Sequence, residues 1–192
     1  MEDKALGLVE TWQVVAGILA ADAMLKRAEV TLISARYVCV GKFMVLVRGN
    51  TSSVRQAVDA GAEIARDQLA GKFIIRNIHP AVLEVMDRRI PVPVDDPGNS
   101  LGLIETKNVA ACIVAADMAV KTADVTLLEL RLANRLGGKS YVLMWGQVGA
   151  VEAAVAAGAD TVPEDVLVQQ AVIPSLHPDL KSVITKALAA EA

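Results

Sequence analysis

Hydrophobic positions along the chain follow strand-like and helix-like spacings in an order that occurs twice. Residues 5–10 form a short apolar run typical of a buried strand, and apolar positions from about Val14 to Ala28 predict a helix. A strand hairpin, a second helix, a strand over 73–78 and a short helix opened by His79-Pro80 follow. The order then begins again at Leu101. Each half is therefore predicted to be β-α-β-β-α-β plus a short terminal helix.

Capping residues and apolar stripes refine these helices. Thr11 is the expected N-cap of the first helix, and Thr51 or Ser52 that of the second. The first helix carries apolar side chains over most of its surface, so we expect it to be covered on most sides. Gly61 lies inside the second helix, where glycine is costly unless another backbone comes close.

The two halves also match in their individual residues. Leu6-Gly7-Leu8-Val9-Glu10-Thr11 returns 95 residues later as Leu101-Gly102-Leu103-Ile104-Glu105-Thr106, and His79-Pro80 returns 98 residues later as His177-Pro178. Because the matches fall on Gly, Glu and His-Pro as well as on apolar residues, chance similarity of Ala/Val-rich helices does not explain them. A fixed period across most of a chain indicates a duplicated structural unit.

The duplication predicts the domain organisation and the fold class. We expect one domain over residues 1–88 and another over 100–192, joined by a Pro-rich linker at 89–99. The element order predicts an α+β class, with two tandem ferredoxin-like domains. Each has a largely antiparallel sheet with helices on one face.

Composition narrows the function classes. Hydrophobic residues make up 54% of the chain, which suggests that apolar surface is buried between subunits. A net charge of −3 without a basic block, and only six aromatic residues, argue against nucleic acid. No apolar run reaches the ~20 residues of a membrane span, and Met1-Glu2-Asp3-Lys4 is not typical of a signal peptide. Two cysteines at unmatched repeat positions do not suggest disulfides, so we expect a reducing cytoplasm.

An ordered set of short motifs carries a resemblance to a known family. The motifs are Leu6–Thr11 and its copy, Ala21-Asp22-Ala23-Met24-Leu25-Lys26, Gly41-Lys42, Gly138-Lys139, Arg48-Gly49, and Val172-Ile173-Pro174 ahead of His177-Pro178. With them the chain resembles the bacterial microcompartment (BMC) shell proteins of the tandem-domain class. It is most similar there to the T-type proteins of propanediol-utilisation compartments, through Cys39-Val40-Gly41-Lys42-Phe43 and Asn77-Ile78-His79-Pro80-Ala81-Val82-Leu83.

The resemblance implies a structural role and an assembly. Tandem members of the family form homotrimers that imitate hexamers with a central pore. These discs tile edge to edge, with other shell proteins, into a shell around enzymes in the cytoplasm. A ring of six units can be made from three duplicated chains, and a high apolar content fits extensive interfaces between units.

Cys39 is the candidate site residue to which the resemblance assigns the most specific role. It implies that one Cys39 per subunit meets at the three-fold axis and ligates a 4Fe-4S cluster, one per trimer. One chain cannot supply the three or four cysteines such a cluster needs, whereas a three-fold axis can. A bare cysteine-lined pore stays open as the alternative, and so does a Cys39 that lies off the axis as a small hydrophobe. Cys112, inside an apolar helix, is expected in the core.

The remaining candidates line the pore or the disc edge. The pore residues expected from the two hairpin turns are Val38, Cys39, Val40, Gly41, Asn134, Arg135, Leu136 and Gly137. Arg135 would make the opening cationic if it faces the axis, or would fold onto the disc surface if it does not. The shell-edge residues expected from the family are Lys26, Lys121, Asn77, His79, Ser175 and His177. The alternative for the lysines is a solvated helix position, but their occurrence at matched positions of the repeat favours the edge role, and the histidines are expected to be structural.

Two rival functions remain to be weighed. A cytosolic regulatory trimer with duplicated ferredoxin-like units would bind a small molecule between its units and would never form sheets. An enzyme would need a nucleophile–base pair, a phosphate-binding Gly-rich loop or metal-ligand spacing, and the sequence has none of these within one chain. We therefore expect a shell protein rather than an enzyme.

Overall fold

The chain divides into two compact units, Met1–Ile78 and His79–Ala192. The computed structural model describes residues 5–87, 90, 98–134 and 136–190. Most of the predicted linker, 89–99, lies outside these residues.

Unit one is a four-stranded antiparallel sheet with two helices. Its elements are β1 (Ala5–Thr11), α1 (Val14–Arg27), β2 (Thr31–Val38), β3 (Lys42–Gly49), α2 (Thr51–Ala65) and β4 (Leu69–Arg76). The strands lie in the order β2-β3-β1-β4, so the two strands that flank β1 come from later in the chain.

Unit two repeats this architecture and adds one helix before its first strand and another after its last strand. Its elements are α3 (Pro80–Asp87), β5 (Ser100–Thr106), α4 (Val109–Thr122), β6 (Thr126–Leu132), β7 (Ser140–Gly146), α5 (Val148–Asp160), β8 (Leu167–Ile173) and α6 (Pro178–Ala190). Its strand order, β6-β7-β5-β8, is the order of unit one. The predicted α+β fold of two tandem units is confirmed.

The repeated Leu-Gly-Leu motif has a packing role in both sheets. Gly7 lies on the helix side of β1, where a Cβ atom would come within 2.6 Å of Val58 and 2.7 Å of Val54 on α2. Gly102 in β5 faces Val151 and Val155 on α5 in the same way. A side chain at either position would push the helix away from the sheet, because protein cores are close-packed.

Helix α3 packs within the second unit. The sequence places it in the first domain, yet its contacts are with β6 and α4. Val82 and Val85 are its buried side chains. Tertiary contacts decide which unit a helix at a domain boundary packs against. The order of elements along the chain therefore does not reveal where α3 packs.

Helix α6 packs on its own sheet. A cluster of buried residues joins Leu176 and Leu188 to Leu101, Leu128 and Trp145. Lys181 of α6 also lies over the Trp145 ring, 4.6 Å from its centroid. The inner face of α6 is therefore fixed to the sheet of unit two.

Both predicted helix caps of unit one are wrong. Thr11 is still part of the β1 ladder opposite Phe43, and its hydroxyl donates to the carbonyl of Gln13, which is the N-cap of α1. Asn50 caps α2, because its side-chain oxygen accepts a hydrogen bond of 2.9 Å from the backbone N–H of Ser53. An asparagine side chain has the reach to satisfy such an orphan N–H group.

The expectation that α1 is covered on most sides is also wrong for the single chain. Its packed face consists of small residues and Met24. The exposed apolar side chains are Val14, Val15, Ile18, Leu19 and Leu25.

Over the described ranges, no helix has the length and apolar character needed to cross a membrane.

Candidate functional site

The β2–β3 turn holds the cysteine that the sequence singled out. Residues Cys39–Gly41 form one 3-10 turn between two antiparallel strands that pair as far as Val38 and Lys42. Gly41 has φ +78°, in the left-handed region where glycine is favoured, and a Cβ there would meet nothing within 4 Å. The Cys39 side chain is half-buried and Val38 is buried. Of Val40, the structure describes only its place in the turn.

Arg36 is a charged neighbour of Cys39 that the sequence did not reveal. Partial burial lowers the pKa of Arg36, and the negative charge of the Cys39 thiolate offsets part of this shift. The guanidinium and the thiol therefore interact electrostatically at this turn. Arg36 and Cys39 lie three positions apart, one on β2 and one in the turn. No sequence motif indicates that residues at this spacing interact.

Each turn is also tied to the first strand of its unit by an ion pair. Lys42 lies 3.5 Å from Glu10, and Lys139 lies 2.6 Å from Glu105. The ammonium of Lys42 lies over the Trp12 ring as well, at 4.6 Å. The sequence contained a signal for these pairs, since the glutamates and the lysines are both matched positions of the repeat.

The corresponding turn of unit two is built differently. Ala133 and Gly137 both have positive φ, +47° and +62°, and the Ala133 N–H donates to the Ser140 hydroxyl at 3.1 Å. Asn134 is exposed and Leu136 is half-buried. Arg135, predicted as the cationic pore residue, lies outside the described residues. The pore assignments of both turns remain predictions.

Cys112 is buried in the core, as expected. Burial raises the pKa of its thiol, and a hydrogen bond with Thr106 partly opposes that shift. Among the residues that the structure describes, no group of three or more His, Cys, Asp or Glu side chains in one chain could hold a metal ion.

The two predicted edge lysines occupy different environments. Lys26 pairs with Asp22 at 2.6 Å on the exposed surface of α1, as expected of a surface ion pair. Lys121 pairs with Asp117 at 2.5 Å, but Asp117 is buried and accepts a second hydrogen bond, of 2.7 Å, from the backbone N–H of His79. Sequence analysis did not predict this link between α4 and the start of α3.

The other edge candidates form the turns that lead into α3 and α6. Asn77 and Ser175 are both exposed and left-handed, with φ of +55° and +56°. His79 Nδ1 accepts from the Ala81 N–H, and His177 Nδ1 accepts from the Asp179 N–H, each at 3.2 Å. The histidines thus satisfy backbone donors at the start of each helix, which is a structural role.

A family model described as the BMC domain matches the chain twice, over residues 5–78 and 100–176. The chain belongs to the BMC-domain family of bacterial microcompartment shell proteins. Membership in this shell protein family gives it a structural role, and the predicted resemblance is confirmed.

Relatives of this BMC-domain protein match both copies. The bacterial microcompartment shell protein PduT of Citrobacter freundii is 38% identical over 91% of this chain and 94% of its own length. The crystal structure of a microcompartment protein from Desulfitobacterium hafniense DCB is 44% identical, with a TM-score of 0.86 over 93% of this chain and 98% of that one. A fused permuted hexameric shell protein from the RMM microcompartment shares the fold, at 23% identity and TM-score 0.57 over 81% and 82%.

Proposed function

We propose that this BMC-domain protein assembles as a homotrimer whose six units imitate a hexamer and tile, with other shell proteins, around encapsulated enzymes. The observation that carries the proposal is an unequal burial of matched helix faces. Val14 and Ile18 of α1 are 42% and 55% exposed, whereas their repeat partners on α4, Val109 and Ile113, are 1% and 0% exposed. An apolar face that is open in one unit and closed in its copy is typical of an interface.

Ring closure follows from this asymmetry. A contact between two different faces of the same chain is heterologous, and it ends only when the rotation closes a ring. Three tandem chains supply six units, so a three-fold ring gives every unit a neighbour. The similarity to PduT and to the Desulfitobacterium protein supports a shell subunit over a small-molecule regulator.

For the axis we propose a 4Fe-4S site formed by Cys39 from each of the three subunits. The half-buried thiol, the space beside Gly41 and the positive charge of Arg36 fit an anionic thiolate ligand set. Three Cys39 thiolates would hold three of the four irons. The cluster, when bound, supplies one-electron transfer across the shell. Without it, the two hairpin turns would form a thiol-lined pore for small metabolites.

Iron analysis tests the axis. Protein purified without oxygen should contain about four irons and four sulfides per trimer, with visible absorption, as a single cluster requires. Cys39→Ser should lose both while Cys112→Ala keeps them, because the Cys112 thiol is buried in α4. A trimer without iron after anaerobic reconstitution with iron and sulfide would overturn the cluster and favour the pore.

Electron microscopy tests the shell role separately. Overexpressed protein should form flat sheets or rosettes, since edge-to-edge tiling extends in two dimensions. Single particles of uniform size at every concentration would favour the regulator instead.

A further inference from the structure

Helices α3 and α6 are copies of one another, 98 residues apart. Val82 and Val85 of α3 correspond to Leu180 and Val183 of α6, and each helix follows a His-Pro pair. In α3 the two valines are buried while the helix packs on β6 and α4. In α6 their counterparts are 44% and 62% exposed. Among the described residues, the same apolar stripe is therefore packed in one copy and largely exposed in the other.

The first turn of α3 is anchored by a side chain of α4. The His79 N–H donates to Oδ1 of Asp117 at 2.7 Å, and Lys121 holds Oδ2 of the same carboxylate at 2.5 Å. Asp117 is buried, and a charge-assisted bond in such a site is stronger than one in water. This contact fixes where α3 begins on the surface of α4.

Unit one carries the matching target. Asp22 and Lys26 on α1 are the repeat partners of Asp117 and Lys121, and Lys26 likewise holds Oδ2 of its aspartate, at 2.6 Å. The strand surface is matched as well, and two pairs of matched positions are exposed in β2 but buried in β6. The pairs are Leu32 with Leu127 and Tyr37 with Leu132.

The inner face of α6 is already used within its own unit. Ile184 and Leu188 pack against the sheet of unit two, so docking of the outer stripe would leave that packing intact. The helix can hold its place in one chain and still present Leu180 and Val183 to another.

We propose that α6 of one chain docks on α1 and β2 of a second copy, and repeats there the contact that α3 makes with α4 and β6. The His177 N–H would donate to Asp22, while Leu180 and Val183 would cover Leu32. Each chain gives one α6 and receives one, so the contact is head-to-tail and closes into a ring. This inference rests on the proposed trimer and names the element that closes it.

A photo-crosslinking amino acid at position 183 tests this docking in the full chain. We expect crosslinks between copies that map to residues 14–38. In addition, Val183→Asp should raise the dissociation constant of the trimer at least about tenfold, as loss of a buried interface anchor does. Val183→Ser should give a smaller change in the same direction. Because position 183 is exposed in the single chain, circular dichroism should show that both variants stay folded.

Ser182→Glu is the matched control. Its repeat partner in α3 is Glu84, which is exposed, so the substitution should leave the dissociation constant unchanged. A wild-type trimer that Val183→Asp does not weaken, and that yields no crosslinks to 14–38, would overturn the docking and leave the trimer standing. A wild-type chain that is monomeric at all concentrations would overturn both.

Discussion

Unit one and unit two share a strand order but differ in what surrounds their first helix. In unit two, α3 packs on α4 and β6, and the apolar face of α4 is buried. In unit one, the matched face of α1 is open. Because Val14 and Ile18 have the same residue types as their repeat partners Val109 and Ile113, the difference in their burial arises from tertiary surroundings and not from local propensity. A duplicated sequence can thus specify one fold twice and still give its copies different roles.

The two aspartate–lysine pairs show the energetic side of this difference. On α1 both partners are exposed, and such a pair contributes about 0.3–0.5 kcal/mol. On α4 the aspartate is buried and holds the N–H of His79 as well. Removing one partner of a buried, hydrogen-bonded charge leaves the other without compensation, which costs more.

The largest predicted difference concerns the glycines of α2 and α5. A Cβ at Gly158 would lie 2.7 Å from the backbone oxygen of Ala115, whereas at Gly61 it would lie 2.6 Å from the flexible Met24 side chain. Gly158→Ala should therefore lower the free energy of unfolding by about 2–3 kcal/mol, because a backbone cannot give way cheaply. Gly61→Ala should cost less than about 1 kcal/mol, since Met24 can shift and alanine favours the helix.

Urea unfolding followed by the emission of Trp145, which is buried in unit two, measures the Gly158→Ala effect. Gly61→Ala serves as its control, followed by circular dichroism. Equal shifts of the unfolding midpoint in the two alanine variants would contradict the predicted difference between the two glycines. From the sequence, a glycine at position 61 suggested a close approach by another backbone, but the nearest atoms there belong to the Met24 side chain. Of the two matched glycines, it is Gly158 that meets a backbone atom, the oxygen of Ala115.

A second prediction separates the two cysteines by pH. Burial raises the pKa of Cys112 in the folded state above its unfolded value of about 8.5. Above that value the unfolded chain loses a proton that the folded chain keeps, so stability falls as pH rises. Each pH unit removes about 1.4 kcal/mol, which makes a loss of about 2 kcal/mol at about pH 10.

The contribution of Cys112 is measured as the difference between the wild type and Cys112→Ala in urea unfolding at about pH 7 and pH 10. Other groups titrate in this range, and the subtraction removes them. Cys39→Ser retains the buried Cys112 thiol and should therefore still lose stability between the two pH values. If Cys112→Ala loses as much stability as the wild type over this range, the buried thiol is not the cause.

The smallest predicted effect compares the two aspartates. Asp117→Asn should lower the free energy of unfolding by about 1 kcal/mol, since the amide loses the charge that holds Lys121 and His79. Asp22→Asn should change it by less than about 0.5 kcal/mol in the dissociated chain, because that pair is exposed. Thermal unfolding of dilute protein measures both. Equal melting temperatures for the two variants would mean that burial does not distinguish the pairs.

Much of the fold could be predicted because its signals are local. The spacing of apolar residues predicted the order of strands and helices. The repeated motifs predicted that the chain contains two copies of one structural unit. Where prediction failed, the deciding contact was not local. Asn50 caps α2 through its own side-chain geometry, α3 packs on α4 and β6, and the apolar face of α1 is exposed among the residues that the structure describes.

The candidate site was predictable only in part. The family resemblance located Cys39 in a turn, and the structure places it there. The charge of Arg36 beside it depends on how the turn folds back, which no spacing indicated. The link between His79 and Asp117 joins residues 38 positions apart, so only the packing of α3 on α4 creates it.

The mass of the protein in solution is the most direct test of the central claim, that the open face of unit one is an interface of a three-fold ring. Sedimentation equilibrium of the wild-type chain should give three times the 20.2 kDa mass of one chain, with dissociation on dilution. Val183→Asp should shift that equilibrium toward the monomer. A wild-type protein that stays at 20.2 kDa across all accessible concentrations would contradict the account.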